Sequence, residues 1–148
     1  MLLYRITKSK YANELVASGF RNRWNDDRQF VIYTSESRSL ACLENLVHRS
    51  HSGNDQLFRT MIIFVPDNFP ILTIQELELP ENWRKGFCNE CLQLGRAWYA
   101  ENKYPLLKVP TSIIPNEWNY ILNTRHPDFA QVKLVSTEAF LFDERLSQ

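Results

Sequence analysis

Residues 31–48 read VIYTSESRSLACLENLVH, and they predict a strand that leads directly into a helix. The apolar residues 30–33 are typical of a short buried strand. Ser37 or Ser39 can cap the helix that follows, because either hydroxyl can accept a hydrogen bond from its first turn. Apolar side chains then recur with helical spacing at Leu40, Leu43, Leu46 and Val47. This strand–helix unit is the point from which the other segments can be placed.

Strand patterns outnumber helix patterns in the rest of the chain. Short apolar runs predict strands at residues 2–6, 58–65, 71–74, 106–109, 132–135 and 139–142. Helices are predicted at residues 10–18, ended by Gly19, and at residues 88–101, whereas residues 110–131 are predicted to form a long loop. Strands and helices do not alternate regularly, so the pattern indicates an α+β fold with flanking helices.

Length and charge limit the classes of protein to which the chain can belong. The 148 residues fit a single domain, 1–148, because they can bury a core and contain no flexible linker. Seventeen Lys and Arg residues balance seventeen Asp and Glu residues, so the chain lacks the net positive charge of proteins that bind phosphate backbones. We therefore expect no direct contact with nucleic acid.

No apolar stretch approaches the ~20 residues that span a bilayer, and no signal peptide is evident, so we expect a cytoplasmic protein without membrane contact.

The cysteines and histidines do not predict a metal site. Three cysteines, an odd number, are expected to be free thiols in a reducing compartment. Cys88 and Cys91 have the spacing of a metal-ligand or redox pair, and His48 and His51 are three residues apart. The order and separation of these pairs match no common zinc module, and Cys88 does not follow a strand as in thioredoxin-like motifs. Glycine-rich phosphate loops are also missing from the sequence, so a nucleotide must be held in another way.

Glu44 is the acidic residue whose position can be worked out from helix geometry. At ~100° per residue, it projects beside Leu40 and Val47, at the edge of the apolar face. Arg38, Asn45 and Arg49 fall on the opposite side. Two interpretations remain open: a boundary carboxylate satisfied by a backbone N–H or a nearby arginine, or an active-site acid in a cleft where the helix meets the sheet.

Several other polar side chains are candidates for a binding site. Arg23 lies in a polar loop, where its guanidinium group is either solvated or holds a pyrophosphate or carboxylate. Tyr33 ends the strand and faces either the core or a planar ligand.

Hydroxyl and amide side chains follow the strand predicted at residues 106–109. Thr111 and Ser112 offer hydroxyls there, and turn capping is the alternative role for both. Asn119, Asn123 and His126 lie further downstream, again with local turn hydrogen bonding as the alternative.

The order of these residues resembles the RES-domain family, which is named for an arginine, a glutamate and a serine. The resemblance extends over nearly the whole chain and is carried by the segments LYRI, RWN, VIYTSESRSLACLENLVH, LPENWR, LGRAW, VPTSIIPNEWNYILNTRHPDF and FLFDERL. It implies a fold like that of ADP-ribosyltransferase toxins, with mixed sheets and flanking helices. It also implies a toxin that breaks down NAD with water or phosphate and is paired with a helix-turn-helix antitoxin of the Xre type, in a homo- or hetero-oligomer.

The resemblance also assigns roles to individual residues. It places the family arginine at Arg23, its aromatic partner at Tyr33 and its glutamate at Glu44, while the family serine falls on Thr111 or Ser112. We expect Glu44 and Arg23 to be catalytic. The NAD-binding side chains are then expected to be Arg23, Tyr33, Ser35, Thr111, Ser112 and Asn123.

In the resulting hypothesis NAD is the substrate and no cofactor is needed. Glu44 stabilises the oxocarbenium-like state that forms when nicotinamide leaves, Arg23 holds the pyrophosphate and Tyr33 stacks on nicotinamide. Two alternatives remain open at this point. One is transfer of ADP-ribose to a protein, and the other is a non-catalytic protein-binding module.

Overall fold

The computed structural model describes residues 1–48 and 57–147. Within these ranges the chain forms seven strands and two α-helices, together with short 3₁₀ turns. The strands are β1 (Leu2–Lys8), β2 (Val31–Ser35), β3 (Phe58–Phe64), β4 (Ile71–Thr73), β5 (Leu106–Pro110), β6 (Trp118–Asn123) and β7 (Lys133–Phe140). The helices are α1 (Arg38–His48) and α2 (Asn89–Glu101). The predicted α+β class is confirmed.

The seven strands form one mixed sheet with the order β4-β5-β6-β2-β1-β3-β7. The β4–β5 pair is parallel, and the other neighbouring pairs are antiparallel. β6 lies between β2 and β5, with Ser35 opposite Asn119 and Val31 opposite Asn123. Neighbouring strands in the sheet are therefore far apart in the sequence.

The sheet is open between β1 and β2. Their pairing covers a single register position, Tyr4 opposite Ser35, whereas β1 pairs with β3 along its whole length. The Arg5 side chain crosses the gap and donates a hydrogen bond to the backbone oxygen of Tyr33 at 3.0 Å. This gap creates a concave surface near the middle of the sheet.

The core is divided between the two faces of the sheet. Adjacent residues of a strand point to opposite faces, and on β6 Leu122 belongs to one cluster while Ile121 belongs to the other. The first cluster includes Leu3, Ile32, Met61, Ile63, Leu106 and Leu122. The second contains the α2 residues Cys91 and Trp98, packed with Trp24 and Trp83. These tryptophans attach α2 and its neighbouring loops to the sheet.

Helix α1 begins as the sequence predicts. The backbone N–H of Leu40 donates to the Ser37 hydroxyl at 3.1 Å, which favours Ser37 over Ser39 as the capping side chain. The prediction that Asn45 lies on the face opposite Glu44 is wrong. The Asn45 amide donates to the backbone oxygen of Ile6, because α1 packs on β1 as well as β2.

Helix α2 corresponds to the helix predicted at residues 88–101. Its N-terminus differs from the prediction in one respect. Cys88 and Cys91 form a disulfide, so the expectation of free thiols is wrong for this pair. Cys88 also caps the helix, since its sulfur accepts a hydrogen bond from the Cys91 backbone at 3.1 Å. At Gly95 the helix touches the backbone of Trp24, and a Cβ atom there would overlap the Trp24 carbonyl oxygen.

Three other local predictions are corrected. The helix predicted at 10–18 is a 3₁₀ turn at Ser9–Tyr11 followed by irregular chain, from which Ala12, Leu15 and Ala17 pack on the first cluster. The predicted loop 110–131 contains β6. The strands predicted at 132–135 and 139–142 are one strand, β7.

Among the described residues, no helix is long and apolar enough to cross a membrane. No group of three or more His, Cys, Asp or Glu side chains in these ranges could hold a metal ion. His51, part of the zinc alternative, lies outside the described residues.

Candidate active site

Glu44 lies where α1 meets the ends of β5 and β6. Its Oε1 accepts a hydrogen bond from the Thr111 hydroxyl at 2.8 Å and another from the Asn119 amide at 2.6 Å. Its side chain remains 21% exposed, and Oε2 lies 3.8 Å from Nε2 of His48. The carboxylate is therefore fixed by two neutral donors instead of being closed off in an ion pair with an arginine.

Two adjoining chambers meet at Glu44. A larger chamber of about 710 Å³ extends towards Arg23 and the loop before α2, and a smaller one of about 390 Å³ extends into the gap between β1 and β2. Both are lined by Arg21, Asn22, Tyr33, Glu44, His48 and Asn119. Of the two roles left open for Glu44, the geometry is that of a carboxylate in the wall of a cleft.

Arg23 lines the larger chamber. Its guanidinium group donates to the backbone oxygen of Trp83 at 2.5 Å and lies 5.7 Å from the centre of that ring. Burial lowers the pKa of Arg23, while the charges of Glu44 and Tyr33 act in the opposite direction. Arg23 and Glu44 thus share one cleft and interact electrostatically across it.

Tyr33 lines both chambers, and its hydroxyl is already occupied. The hydroxyl donates to the Asn25 side chain at 2.7 Å and accepts from the Trp24 backbone N–H at 3.1 Å. Burial raises the pKa of the Tyr33 hydroxyl above its ordinary value. The phenol therefore stays protonated and ties the loop that carries Arg23 to β2.

Ser35 acts on the carboxylate through Asn119. Its hydroxyl donates to Oδ1 of Asn119 at 2.8 Å, and Nδ2 of the same amide donates to Glu44. Because the two residues are register partners on β2 and β6, the strand pairing holds this chain of hydrogen bonds in place. The sequence left Asn119 open between a binding-site role and local turn hydrogen bonding, and its position beside Glu44 was not foreseen because β6 was not predicted.

The two adjacent hydroxyls after β5 have different positions. Thr111 is buried, donates to Glu44 and accepts from the backbone N–H of Ile113 at 3.0 Å. Ser112 lines the larger chamber. Thr111 is thus placed to orient the carboxylate, and Ser112 to contact a ligand.

Asn123 is not brought to the cleft, and its predicted place in the site is corrected. It lies at the opposite end of β6 from Asn119, is fully buried, and lines neither chamber. Its amide donates to Asn102, and its oxygen accepts from the Arg125 backbone. These bonds give it a structural role in the turn after β6.

Arg5 belongs to the site, although sequence reasoning did not select it. It lines the smaller chamber, and within the described residues no carboxylate forms an ion pair with it. Burial lowers the pKa of its guanidinium group. An arginine inside the apolar segment LLYRI was the available signal, because a charge in a buried strand is costly without a partner.

Comparison with known proteins agrees with the resemblance seen in the sequence. The model of the RES domain matches residues 2–143. The chain belongs to the RES-domain family. Sequence relatives cover almost the whole of this RES-domain chain. "Toxin Res" of Photorhabdus laumondii is 36% identical over 99% of this chain and 97% of its own length. "Toxin Res" of Yersinia enterocolitica is 35% identical over 99% of both chains.

Two further comparisons extend this result. A relative from Sphingobium named "Prs ADP-ribosylating toxin" is 33% identical to this RES-domain chain over 91% of it and 88% of the relative. A chain in the crystal structure of the Mycobacterium tuberculosis MbcT–MbcA toxin–antitoxin complex superposes with a TM-score of 0.76 at 17% identity. The match covers 94% of this chain and 83% of that one. At this identity the superposition shows a shared fold.

Proposed function

We propose that this RES-domain chain is a toxin that binds NAD and breaks the bond between nicotinamide and ribose. The observation that carries the proposal is the Glu44 carboxylate, fixed by Thr111 and Asn119 in the wall of a cleft and flanked by arginines. The larger chamber falls within the ~300–1,000 Å³ typical of small-molecule sites.

The charges of the cleft suit a substrate with a pyrophosphate. Glu44 is the one acidic side chain among the described residues that line the chambers, whereas four arginines line them: Arg5, Arg21, Arg23 and Arg84. This concentration of positive charge occurs in a chain without net charge. Guanidinium groups bind phosphate oxygens in a two-pronged geometry, so we assign Arg23, in the larger chamber, to the pyrophosphate of NAD.

Glu44 has the geometry to stabilise the transition state. Loss of nicotinamide leaves positive charge on the ribose, and a fixed carboxylate next to C1′ lowers the energy of that charge without reorganising. The hydrogen bonds to Oε1 hold the group in one orientation and leave Oε2 for the ribose. In this proposal the ring of Tyr33 stacks on nicotinamide and Ser112 contacts its amide.

Conversion of Glu44 to glutamine tests the proposal. Glu44→Gln keeps the size of the side chain but removes its charge, and we expect nicotinamide release to fall by about 10²- to 10⁴-fold while the melting temperature stays close to that of the parent. The purified protein is incubated with NAD, with and without phosphate, and the products are identified. Glu101→Gln, an exposed change at the end of α2, is the matched control. If Glu44→Gln released nicotinamide at nearly the parental rate, Glu44 could not have the proposed catalytic role.

Transfer of ADP-ribose to a protein is the second candidate activity. It is favoured by the relative named "Prs ADP-ribosylating toxin", and it needs the same NAD site with a protein nucleophile as acceptor. NAD labelled in the ADP-ribose half separates the outcomes. Transfer leaves the label on a protein, hydrolysis yields free ADP-ribose, and phosphorolysis yields a phosphorylated ADP-ribose. A non-catalytic binding module would release no nicotinamide under any condition.

A partner that restrains the toxin in the cytoplasm completes the proposal. The relatives named "Toxin Res" and the toxin–antitoxin complex that shares this fold support an antitoxin. We expect a helix-turn-helix protein of the Xre type that binds tightly enough to co-purify from the native host. Recovery of the chain alone and fully active would contradict this part of the proposal.

A further inference from the structure

The two oxygens of the Glu44 carboxylate have different surroundings. Oε1 accepts hydrogen bonds from Thr111 and Asn119. Oε2 instead lies 3.8 Å from Nε2 of His48. The network therefore fixes the carboxylate through one oxygen and leaves the other beside an imidazole.

His48 is placed to contact a reactant next to that second oxygen. It is the last residue of α1, one turn after Glu44, with a side chain that is 65% exposed and lines both chambers. The 3.8 Å separation is too long for a direct hydrogen bond. A reactant oxygen at about 2.8 Å from each atom fits beside the pair, because two such bonds can span that distance at an acute angle.

His48 differs from the other basic side chains of the cleft. The rest of the basic residues that line the described part of the chambers are arginines, which keep their protons in proteins. An imidazole exchanges a proton near neutral pH. Glu44 cannot take a proton early in the reaction without losing the negative charge that stabilises the ribose cation. The cleft therefore contains a separate group suited to proton removal.

We propose that His48 is the general base that takes a proton from the attacking water, a role that rests on the NAD cleavage proposed above. The bond from C1′ to nicotinamide breaks with its electron pair on nicotinamide, which leaves as a neutral molecule. In the same step the water oxygen bonds to C1′ while one of its protons passes to Nε2 of His48, which later releases it to solvent. In sum, NAD⁺ and water give ADP-ribose, nicotinamide and one proton.

Azide provides the decisive test, because it is a nucleophile with no proton to lose. In His48→Gln we expect nicotinamide release in water to fall ~10²-fold. Added sodium azide should restore release and give ADP-ribosyl azide, while it changes the parent rate little. Glu44→Gln is the matched control, because azide cannot replace the charge that stabilises the ribose cation. Melting temperatures of all proteins are compared with that of the parent.

The outcomes separate this inference from the proposed function. Near-parental hydrolysis by His48→Gln overturns the base role. A loss that azide does not restore also overturns it, because His48 would then act in some way other than removing a proton. If the parent itself releases no nicotinamide, NAD cleavage is overturned and this inference falls with it.

Discussion

The Asn119 amide is one of the two donors that orient the carboxylate at the centre of the site. Oδ1 of Asn119 accepts a hydrogen bond from the Ser35 hydroxyl, so Nδ2 is the group that faces Glu44. An aspartate at this position would place a second carboxylate 2.6 Å from Oε1, where two like charges repel. Asn119 therefore suits this position because its Nδ2 donates a hydrogen bond, which an ionised aspartate of the same shape cannot do.

At the residue scale we therefore predict that Asn119→Asp lowers kcat for nicotinamide release by about 10²-fold, the scale of losing a positioned catalytic group. The KM for NAD should change less, because Asn119 acts through Glu44 and does not supply the positive charge that holds the phosphates. Steady-state kinetics measure both values. Asn13→Asp, an exposed change away from the cleft, is the control. An unchanged kcat would mean that Glu44 keeps its orientation without this donor.

At the scale of elements, helix α2 positions the loop that carries Arg23. Gly95 on the helix touches the Trp24 backbone, and the Tyr33 hydroxyl holds the same loop from β2. The loop is thus clamped between a helix and a strand. A change at the buried Gly95 of α2 can therefore alter the cleft without touching a ligand.

The variant Gly95→Ala tests this clamp, and two effects of opposite sign compete in it. Alanine favours a helix over glycine by about 1 kcal/mol. Its Cβ would overlap the Trp24 carbonyl oxygen, and such overpacking costs about 1–3 kcal/mol or more. We expect the clash to dominate, so the melting temperature falls and the KM for NAD rises. Gln93→Ala, an exposed position of α2, should do neither. A stability equal to or above the parent's would show that the helix is not closely seated on the loop.

The accuracy of the sequence predictions differs between elements for physical reasons. The unit from β2 to α1 was predictable because its apolar periodicity and its Ser37 cap are local signals. β6 was missed because Asn119 and Asn123 flank an apolar run of only three residues, and both are explained only by contacts with distant residues. The segment 10–18 has helical spacing but packs its apolar side chains on the core without forming a helix.

At the scale of the whole molecule, the cleft opens where β1 and β2 part. Arg5 bridges this gap with one hydrogen bond, so a ligand there would connect two halves of the sheet that are otherwise weakly joined. The cleft itself could not be derived from the sequence. Arg5, Glu44 and Asn119 come together only through the strand order, which local patterns do not specify.

We predict that ADP-ribose stabilises the folded protein measurably. A ligand at 100 times its Kd adds ~2.7 kcal/mol when it binds only the folded state. For a chain of this length that corresponds to a rise in melting temperature of about 5–10 °C. The rise should shrink in high salt, because cationic side chains supply the attraction. Adenosine, which carries no phosphate, is the control, and an equal rise with adenosine would contradict the phosphate-binding role of the arginines.

Glu44 and its two hydrogen-bond donors lie far apart in the sequence, so the ribosome makes them at different times. Thr111 and Asn119 follow Glu44 by 67 and 75 residues. A ribosome adds about 5–20 residues per second, so the glutamate is made roughly 3–15 s before its two donors exist. During synthesis the nascent chain therefore passes through an interval in which its acid cannot yet be held in place. The order of translation itself delays the moment at which a newly made molecule can act on the cell that produces it.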